Sequence, residues 1–233
     1  LEQQKQVNEA LRLRNQQLEG DVRSLSEGVE AIEERVGSLE DINKILESAC
    51  LKMQGFELVT TDLPPDLDSP CGRYFRYRDF FHCGETQLKT QVANLPKEIA
   101  SYRAYYLLAT HVLDPLIDYF GPIKLTYGFC GDKLRSLIKK RVSHDRDQHA
   151  SFEKKRSGEL VCSRGGAACD FIVEDEDMLE VAQWLVENTP IDRMYFYGPD
   201  RPLHVSYKTT PDREFYEMLT SDSGKLSPRK LSF

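Results

Sequence analysis

Hydrophobic residues recur every seven positions through residues 1–53, and no other feature of the chain constrains its fold as strongly. In a helix with this repeat, seven successive d positions are apolar: Leu11, Leu18, Leu25, Ile32, Leu39, Leu46 and Met53. The a positions are Leu1, Asn8, Asn15, Val22, Val29, Val36, Asn43 and Cys50. This repeat predicts a coiled coil, and Val or Asn at a with Leu at d favours a parallel dimer.

The charges beside this stripe also favour self-association. In a parallel pair, Arg14 of one helix faces Glu19 of the other, and Arg35 faces Glu40, so both contacts are attractive. The alternative is a single amphipathic helix packed on the domain that follows, but such a helix has a wider apolar face. We therefore expect residues 1–53 to form a parallel homodimer.

Part of this helix is similar to a known family. The sequence NEALRLRNQQLEGDVRSLSEGVEAIEERV at residues 8–36 resembles the periplasmic coiled coil of the FtsB family of bacterial cell-division proteins, through LRLRNQQL and GVEAIEER. The transmembrane helix of that family is missing, and VGSLEDINKIL replaces its usual continuation. We interpret the coil as joined in phase to a native helix at Gly37-Ser38, as in a fusion protein or fragment. A natural continuous helix is the alternative.

The rest of the chain mixes helical and strand patterns. Apolar residues at helical spacing predict helices at 96–120, 132–141 and 178–189, and β-rich runs predict strands at 123–129, 168–173, 193–198 and 203–207. Two further segments, 56–62 and 73–80, are expected to be extended. This order predicts an α+β fold, with a long N-terminal coiled-coil helix followed by a compact antiparallel-sheet domain with helices. The expected domains are 1–53, 54–215 and a loose polar tail at 216–233.

Composition excludes several classes of protein. The chain has 30% charged residues and a net charge of −7, which disfavours a general nucleic-acid binder because the phosphate backbone requires a positive face. The basic stretch 133–156 keeps nucleic acid possible as a partner, but its acidic residues favour a solvated surface. No apolar run reaches the roughly 18 residues of a membrane span. The six cysteines form no C-x-x-C pair, so we expect reduced thiols in a cytoplasmic protein.

Three residues of the C-terminal domain have the chemistry of a metal site. Asp170 follows GGAAC, whose small residues allow other groups to approach closely, and His204 lies inside the apolar strand LHVSY. His149 precedes a charged insert at 150–165, which we expect to project into solvent and to bring His149 back to Asp170. Two histidines and a carboxylate form a zinc set with a position open for water. The alternative is an ordinary surface histidine and a strand-end aspartate.

These motifs resemble the M15 peptidases, which include D-Ala-D-Ala carboxypeptidases and share the hedgehog-type fold. The family pattern is S-x-H-x-x-G-x-A-x-D, followed by a strand such as W-V-H-I-S, and GPIKLTYGF resembles its preceding strand, G-x-x-x-I-T-S-G-Y-R. The matching residues are Gly166, Ala168, Asp170 and Leu203-His204-Val205-Ser206. The resemblance covers about residues 115–207. It implies zinc held by His149, Asp170 and His204, with peptidase or amidase activity.

The chain departs from the family pattern around this site. The insert between His149 and Gly166 is longer than in the family, and without a hairpin there Ser163 would take the place of the histidine. Cys130 stands where the family has an arginine for substrate carboxylate or oxyanion. The arginines expected to replace it are Arg135, Arg164 and Arg201.

Two functions follow from these residues. The first is a zinc-dependent hydrolase on a dimeric coiled coil, acting on a peptide-like or other small substrate. Arg201 stands where E-x-x-H members of the family place the general base, so Asp200, the nearest carboxylate, is the candidate base and Arg201 a candidate catalytic partner. The second is a non-catalytic module of the same fold that recognises a peptide, glycan or nucleic-acid partner.

Overall fold

The computed structural model describes residues 2–59, 63–82, 84–138, 148–220 and 226–231, with side chains of the first helix described at 5, 9, 11–39 and 42. The chain divides into two compact units, Leu1–Glu57 and Leu58–Phe233. The first is helical, and the second contains a sheet with helices.

The first unit is formed by one helix, α1, Glu2–Val59, whose last two residues lie past the unit's end at Glu57. The described side chains of its apolar stripe are between 49% and 70% exposed: Leu11, Leu18, Val22, Leu25, Val29, Ile32, Val36 and Leu39. The prediction of a helix is thus confirmed, while its pairing with a second copy stays a prediction. The stripe beyond Ile42 lies outside the described side chains. The extended segment expected from residue 56 is wrong up to Val59, because extending an existing helix costs far less than starting a new element.

The second unit is built on a six-stranded sheet with the order β1-β2-β4-β3-β5-β6. The strands are β1 Ile123–Tyr127, β2 Ala167–Val173, β3 Arg193–Phe196, β4 Leu203–Tyr207, β5 Glu214–Thr220 and β6 Leu226–Lys230. The α+β class is confirmed, but the sheet is mixed. β3 and β5 run parallel, whereas the other neighbours are antiparallel. The parallel pair arises because the chain passes through β4 before it returns to the free side of β3.

Helices α4 and α7 pack on one face of this sheet. The helical segments of this unit up to α7 are α2 Tyr77–Phe81, α3 Glu85–Thr90, α4 Ile99–Leu108, a π-helical turn Ala109–Leu113, α5 Asp114–Phe120, α6 Asp132–Leu137 and α7 Met178–Asn188. The helices predicted at 96–120 and 178–189 are confirmed. The extended segment expected at 73–80 is wrong from Tyr77 onward, because Tyr77, Phe80 and Phe81 lie at helical spacing and all enter the core.

The core lies between α4, α7 and one face of the sheet. It contains Phe171 of β2, Met194 of β3 and Val205 of β4, together with Leu108 and Leu185 of the helices. Since side chains alternate along a strand, the residues between these core positions point to the opposite face of the sheet. That opposite face carries the residues of the candidate site.

The segment predicted as a loose polar tail contributes to the sheet. The predicted boundary at residue 215 falls inside β5, and 226–230 forms the edge strand β6; residues 221–225 and 232–233 lie outside the described part. The composition of β6 is polar because an edge strand exposed to water has no apolar face to bury. Its proline, Pro228, is tolerated at an edge for the same reason.

Cysteines in the described part of the chain are buried thiols. They are Cys71, Cys130, Cys162 and Cys169, and burial raises the pKa of Cys71 well above its ordinary value. This agrees with the expectation of reduced cysteines, while Cys50 and Cys83 lie outside the described side chains.

Candidate metal centre

Asp170 and His204 meet across two neighbouring strands. They are directly opposite each other in the β2–β4 register, on the face of the sheet that points away from the helices. Nδ1 of His204 lies 2.8 Å from Oδ1 of Asp170. His204 is buried, and the Asp170 side chain retains 29% of its exposure, so water can reach one edge of the pair.

His149 approaches this pair from a one-turn 3-10 helix, Gln148–Ala150. The backbone N–H of Cys130 donates to the His149 carbonyl oxygen at 3.0 Å, which ties the turn to the chain that follows β1. The His149 ring packs against Tyr127 with 4.6 Å between centroids. Its Nδ1 lies 2.7 Å from the Gly128 carbonyl oxygen, and its Nε2 lies 3.3 Å from Oδ1 of Asp170.

The insert after His149 is a hairpin, as predicted. Lys154 pairs with Leu160 in an antiparallel bridge, and Gly158 lies in the turn with a φ of +87°. Residues 154–159 are exposed, which agrees with their charged composition. Because the hairpin returns the chain to its starting point, His149 lies beside Asp170, and Ser163 is exposed.

The base of the hairpin is fastened to the start of β2. Ser151 Oγ donates to the Gly166 carbonyl oxygen at 2.6 Å, and Gln148 Nε2 donates to that of Gly165 at 2.9 Å. A Cβ atom on Gly166 would lie 2.2 Å from the Tyr207 carbonyl oxygen, and Gly166 has a φ of +83°. The small residues before Asp170 therefore permit the close approach that the sequence predicted.

His149, Asp170 and His204 form a group that could hold a metal ion. One potential ligand atom from each lies within 4.8 Å of the other two. Burial raises the pKa of the Asp170 carboxyl, but the charges and hydrogen bonds of His149 and His204 outweigh burial and hold that pKa well below its usual range. Asp170 is therefore a carboxylate at neutral pH, the form that binds metals.

The contacts of His149 allow a proton or a metal ion to lie between its Nε2 and the carboxylate of Asp170. A carbonyl oxygen only accepts, so Nδ1 of His149 donates its hydrogen to Gly128. In a neutral imidazole, Nε2 then carries a lone pair, and it faces a carboxylate oxygen that is also only an acceptor. This contact is favourable when either a second proton or a metal ion lies on Nε2. The bond from Nδ1 to a backbone carbonyl is the support that metal-binding histidines commonly have.

The other predicted site residues lie elsewhere on the domain. Asp200 and Arg201 are exposed in the turn between β3 and β4, where Arg201 packs over the Tyr197 ring. Arg135 is exposed on α6. Arg164 is mostly buried, and its Nη2 lies 3.2, 2.8 and 3.2 Å from the carboxylates of Asp192, Asp212 and Glu214. Its ion pairs give Arg164 a structural role, and the substrate or catalytic roles of all four residues stay predictions.

Sequence reasoning missed two residues beside His204. Tyr195 stands opposite His204 in the β3–β4 register, and Arg193 lies two residues earlier on the same face. The alternation of RMYF at 193–196 is the signal that could have placed these two side chains on one face. It could not have shown which face, because that depends on the pairing of β3 with β4.

Comparisons with protein-family models, with curated proteins and with solved structures found no match for this chain. Among the helices that the structure describes, none has both the length and the apolar composition that crossing a membrane requires.

Proposed function

We propose that the sheet domain is a zinc-dependent hydrolase of M15 peptidase type that cleaves amide bonds. The observation that carries this proposal is the convergence of His149, Asp170 and His204 from three separate chain segments onto one partly open point. Two histidines and one carboxylate are a common ligand set of catalytic zinc, with the fourth position left for water. Zinc in such a set lowers the pKa of its bound water and polarises a carbonyl group.

The surrounding residues hold the three ligands in place. The Gly128 carbonyl accepts from Nδ1 of His149 and so presents Nε2 to the metal, while cross-strand pairing orients Nδ1 of His204 toward Asp170. The bond from His149 to a backbone carbonyl is a support of the kind that fixes the tautomer and the direction of a metal-binding histidine. It favours His149 as a ligand.

Asp200 is the proposed general base. It lies in the turn that leads into β4, four residues before His204, and this turn is closed by a bond from the Arg201 N–H to the Gly198 carbonyl oxygen at 3.3 Å. For this role the turn would have to present the exposed carboxylate of Asp200 to the point where His149, Asp170 and His204 meet. Arg201 beside it is the proposed catalytic partner, for negative charge on the substrate.

A non-catalytic binding module is the second candidate. Arg201 in place of the E-x-x-H glutamate and Cys130 in place of the arginine favour it, since both changes remove groups that the resemblance would assign to catalysis. In that case the same cleft binds a peptide or glycan without cleaving it.

Metal analysis of the purified protein tests the centre. We expect about one equivalent of zinc per chain, and less than about a tenth in His204→Ala, because two remaining ligands bind zinc weakly. His82→Ala, which removes an exposed histidine outside the site, is the matched control and should keep its zinc. Equal, low zinc in wild type and His204→Ala would contradict the centre.

Cleavage distinguishes the two functions. Zinc-loaded protein is incubated with a defined library of synthetic peptides, and the products are identified by mass spectrometry. New peptide termini that disappear in Asp200→Asn support the hydrolase. Retention of peptides without cleavage by the zinc-loaded protein supports the binding module instead.

A further inference from the structure

Three aromatic side chains of α5 and α7 form a surface on the opposite side of the sheet from the candidate metal centre. Tyr119 and Phe120 are the last two residues of α5, and Trp184 lies in the middle of α7. The rings of Tyr119 and Trp184 are stacked with 5.0 Å between centroids, and Phe120 packs edge-to-face on Trp184 at 5.7 Å. We call these three residues the aromatic surface.

The core accounts for only part of this surface. Phe120 and Trp184 are partly buried and pack against core residues, so both stabilise the fold. Tyr119 is 66% exposed, and its stacking on Trp184 leaves much of its ring open to water. A large exposed aromatic ring beside two others is typical of a binding surface, because it gains more from covering by a partner than from the fold itself.

Two carboxylates flank the indole ring on α7. Glu180 lies one turn before Trp184 and Glu187 one turn after it, and residues at these spacings share one side of a helix. Both glutamates are exposed. Within the part of the chain that the structure describes, neither carboxylate has an ion-pair partner. The aromatic surface therefore lies between two uncompensated negative charges.

Cations close to this surface are already engaged. Arg73 forms an ion pair with Asp118, the residue before Tyr119, and Arg213 donates to two carbonyl oxygens at the end of α7. From 174 to 192 the sequence contains acidic residues but no lysine or arginine. The positive charge that would complement the glutamates has to come from another molecule.

A cationic side chain fits this combination of rings and carboxylates. The face of an aromatic ring attracts a guanidinium or ammonium group, and the neighbouring carboxylates attract the same charge. A neutral partner would gain nothing from the carboxylates, and an acidic partner would be repelled by them. We propose that the aromatic surface binds a basic segment of a partner protein, with one arginine or lysine on the Tyr119 ring and others beside Glu180 and Glu187.

The emission of Trp184 reports binding directly, because Trp184 is the only tryptophan of the chain. The full-length protein is titrated with a synthetic octapeptide of alternating arginine and glycine. A second peptide carries citrulline, which has the shape of arginine without its charge, at the same positions. We expect the arginine peptide to change the emission saturably and to bind at least about tenfold more tightly than the citrulline peptide. This ratio should fall between about 50 mM and about 300 mM salt, because the charges are exposed.

Substitutions assign the binding to this surface. Tyr119→Ala should weaken the arginine peptide about three- to fivefold, because it removes the exposed ring, whereas Tyr119→Phe should bind as wild type. Glu180→Gln should weaken it about two- to fivefold, because it removes one exposed charge. Glu159→Gln, at an exposed position of the hairpin after His149, is the matched control and should have no effect. Because Glu180→Gln changes only an exposed side chain, it tests the proposal even if Tyr119→Ala does not fold.

The outcomes separate a basic partner from other ligands and from the metal centre. Equal affinities for the arginine and citrulline peptides would overturn the proposal, as would unchanged Trp184 emission up to about 1 mM arginine peptide. Wild-type affinity in Tyr119→Ala would overturn it too, because the peptide would then lie elsewhere. A saturable response to chitotetraose without one to the arginine peptide would identify a glycan surface instead. Peptide binding should be the same with and without zinc, so a failure of the metal centre leaves this proposal standing.

Discussion

Nε2 of His149 lies 3.3 Å from Oδ1 of Asp170, although Nδ1 of the same histidine already donates its hydrogen to a backbone carbonyl. The chain therefore places two acceptors in contact unless a proton or a metal ion lies between them. Zinc at this position would replace a buried, proton-dependent contact by coordination from three ligands. Binding to the folded state alone would then stabilise the fold.

Zinc should raise the thermal stability of the metal-stripped protein. At a free zinc concentration about 100-fold above the dissociation constant, we expect the free energy of unfolding to increase by about 2.7 kcal/mol. Asp170→Asn should abolish this increase, because it removes the charged ligand. Asp175→Asn, at an exposed turn position, is the control and should respond as wild type. Differential scanning calorimetry with and without zinc measures the effect, and an equal response in Asp170→Asn would contradict it.

Gly166→Ala should destabilise the domain strongly. The new Cβ would collide with the Tyr207 carbonyl oxygen, so the base of the hairpin must move away from β4. We expect a loss of about 3 kcal/mol or more in urea denaturation, from overpacking added to the cost of a positive φ.

Gly158→Ala is the matched control for this change. Gly158 has a similar φ of +87°, but nothing lies within 4 Å of its would-be Cβ. Its cost should be only the conformational one, about 1–2 kcal/mol. Equal losses in the two variants would show that the contact with Tyr207 is unimportant.

The grouping of His149, Asp170 and His204 could be predicted from local patterns because each residue lies in a segment with a clear signature. The small residues before Asp170 allow close approach, and the alternation of LHVSY places His204 and Ser206 on one face. His149 could be connected to them only on the assumption of a hairpin, and the charged insert with Ser157-Gly158 supported that assumption.

Other features depend on contacts between distant segments, which no local pattern reveals. Glu153 accepts from the backbone N–H groups of Lys97 and Glu98 at 3.0 and 3.2 Å, so a carboxylate of the hairpin caps the N-terminus of α4. In the sequence, Glu153 is one of several charged residues in a polar insert, and nothing local distinguishes it from them. The parallel pairing of β3 and β5 was also missed, because it joins segments that are distant in the sequence. It depends on which side of the sheet β5 adds to after β4.

His111 should make the domain less stable in mild acid. Burial lowers the pKa of His111, whose ring stacks on Tyr207 at 5.2 Å. In the unfolded chain a histidine has a pKa of about 6.5, so protons bind the unfolded state first as the pH falls. The resulting loss of stability begins near the unfolded value and increases until the folded histidine is protonated too.

His111→Phe isolates this contribution. Its free energy of unfolding should fall less than that of wild type between pH 7.5 and pH 5.5, because phenylalanine keeps the stacking and does not titrate. His82→Phe, at an exposed position, controls for the loss of a histidine. If His111→Phe lost stability as steeply as wild type, the acid sensitivity would have to come from other groups.

Self-association through α1 can be tested on the intact chain. Eight apolar side chains at a and d positions between Leu11 and Leu39 are 49% to 70% exposed on the single helix, and burying them against a second copy would remove a continuous apolar stripe from water. We expect sedimentation equilibrium at micromolar concentration to give about twice the chain mass of 26.8 kDa.

Substitutions inside and outside this stripe distinguish the proposed pairing from nonspecific association of the chain. Val22→Glu with Val29→Glu places like charges at two successive a positions, where both helices would bury them, and should give a monomer. Ser24→Glu with Ala31→Glu adds the same charges at the same spacing on the outer side of a parallel pair, and should leave the dimer intact. Deletion of residues 1–53 should also give a monomer, because the stripe is then removed. A monomeric intact chain would contradict association through this stripe. A dimer that persists after the paired valine substitutions would contradict it as well.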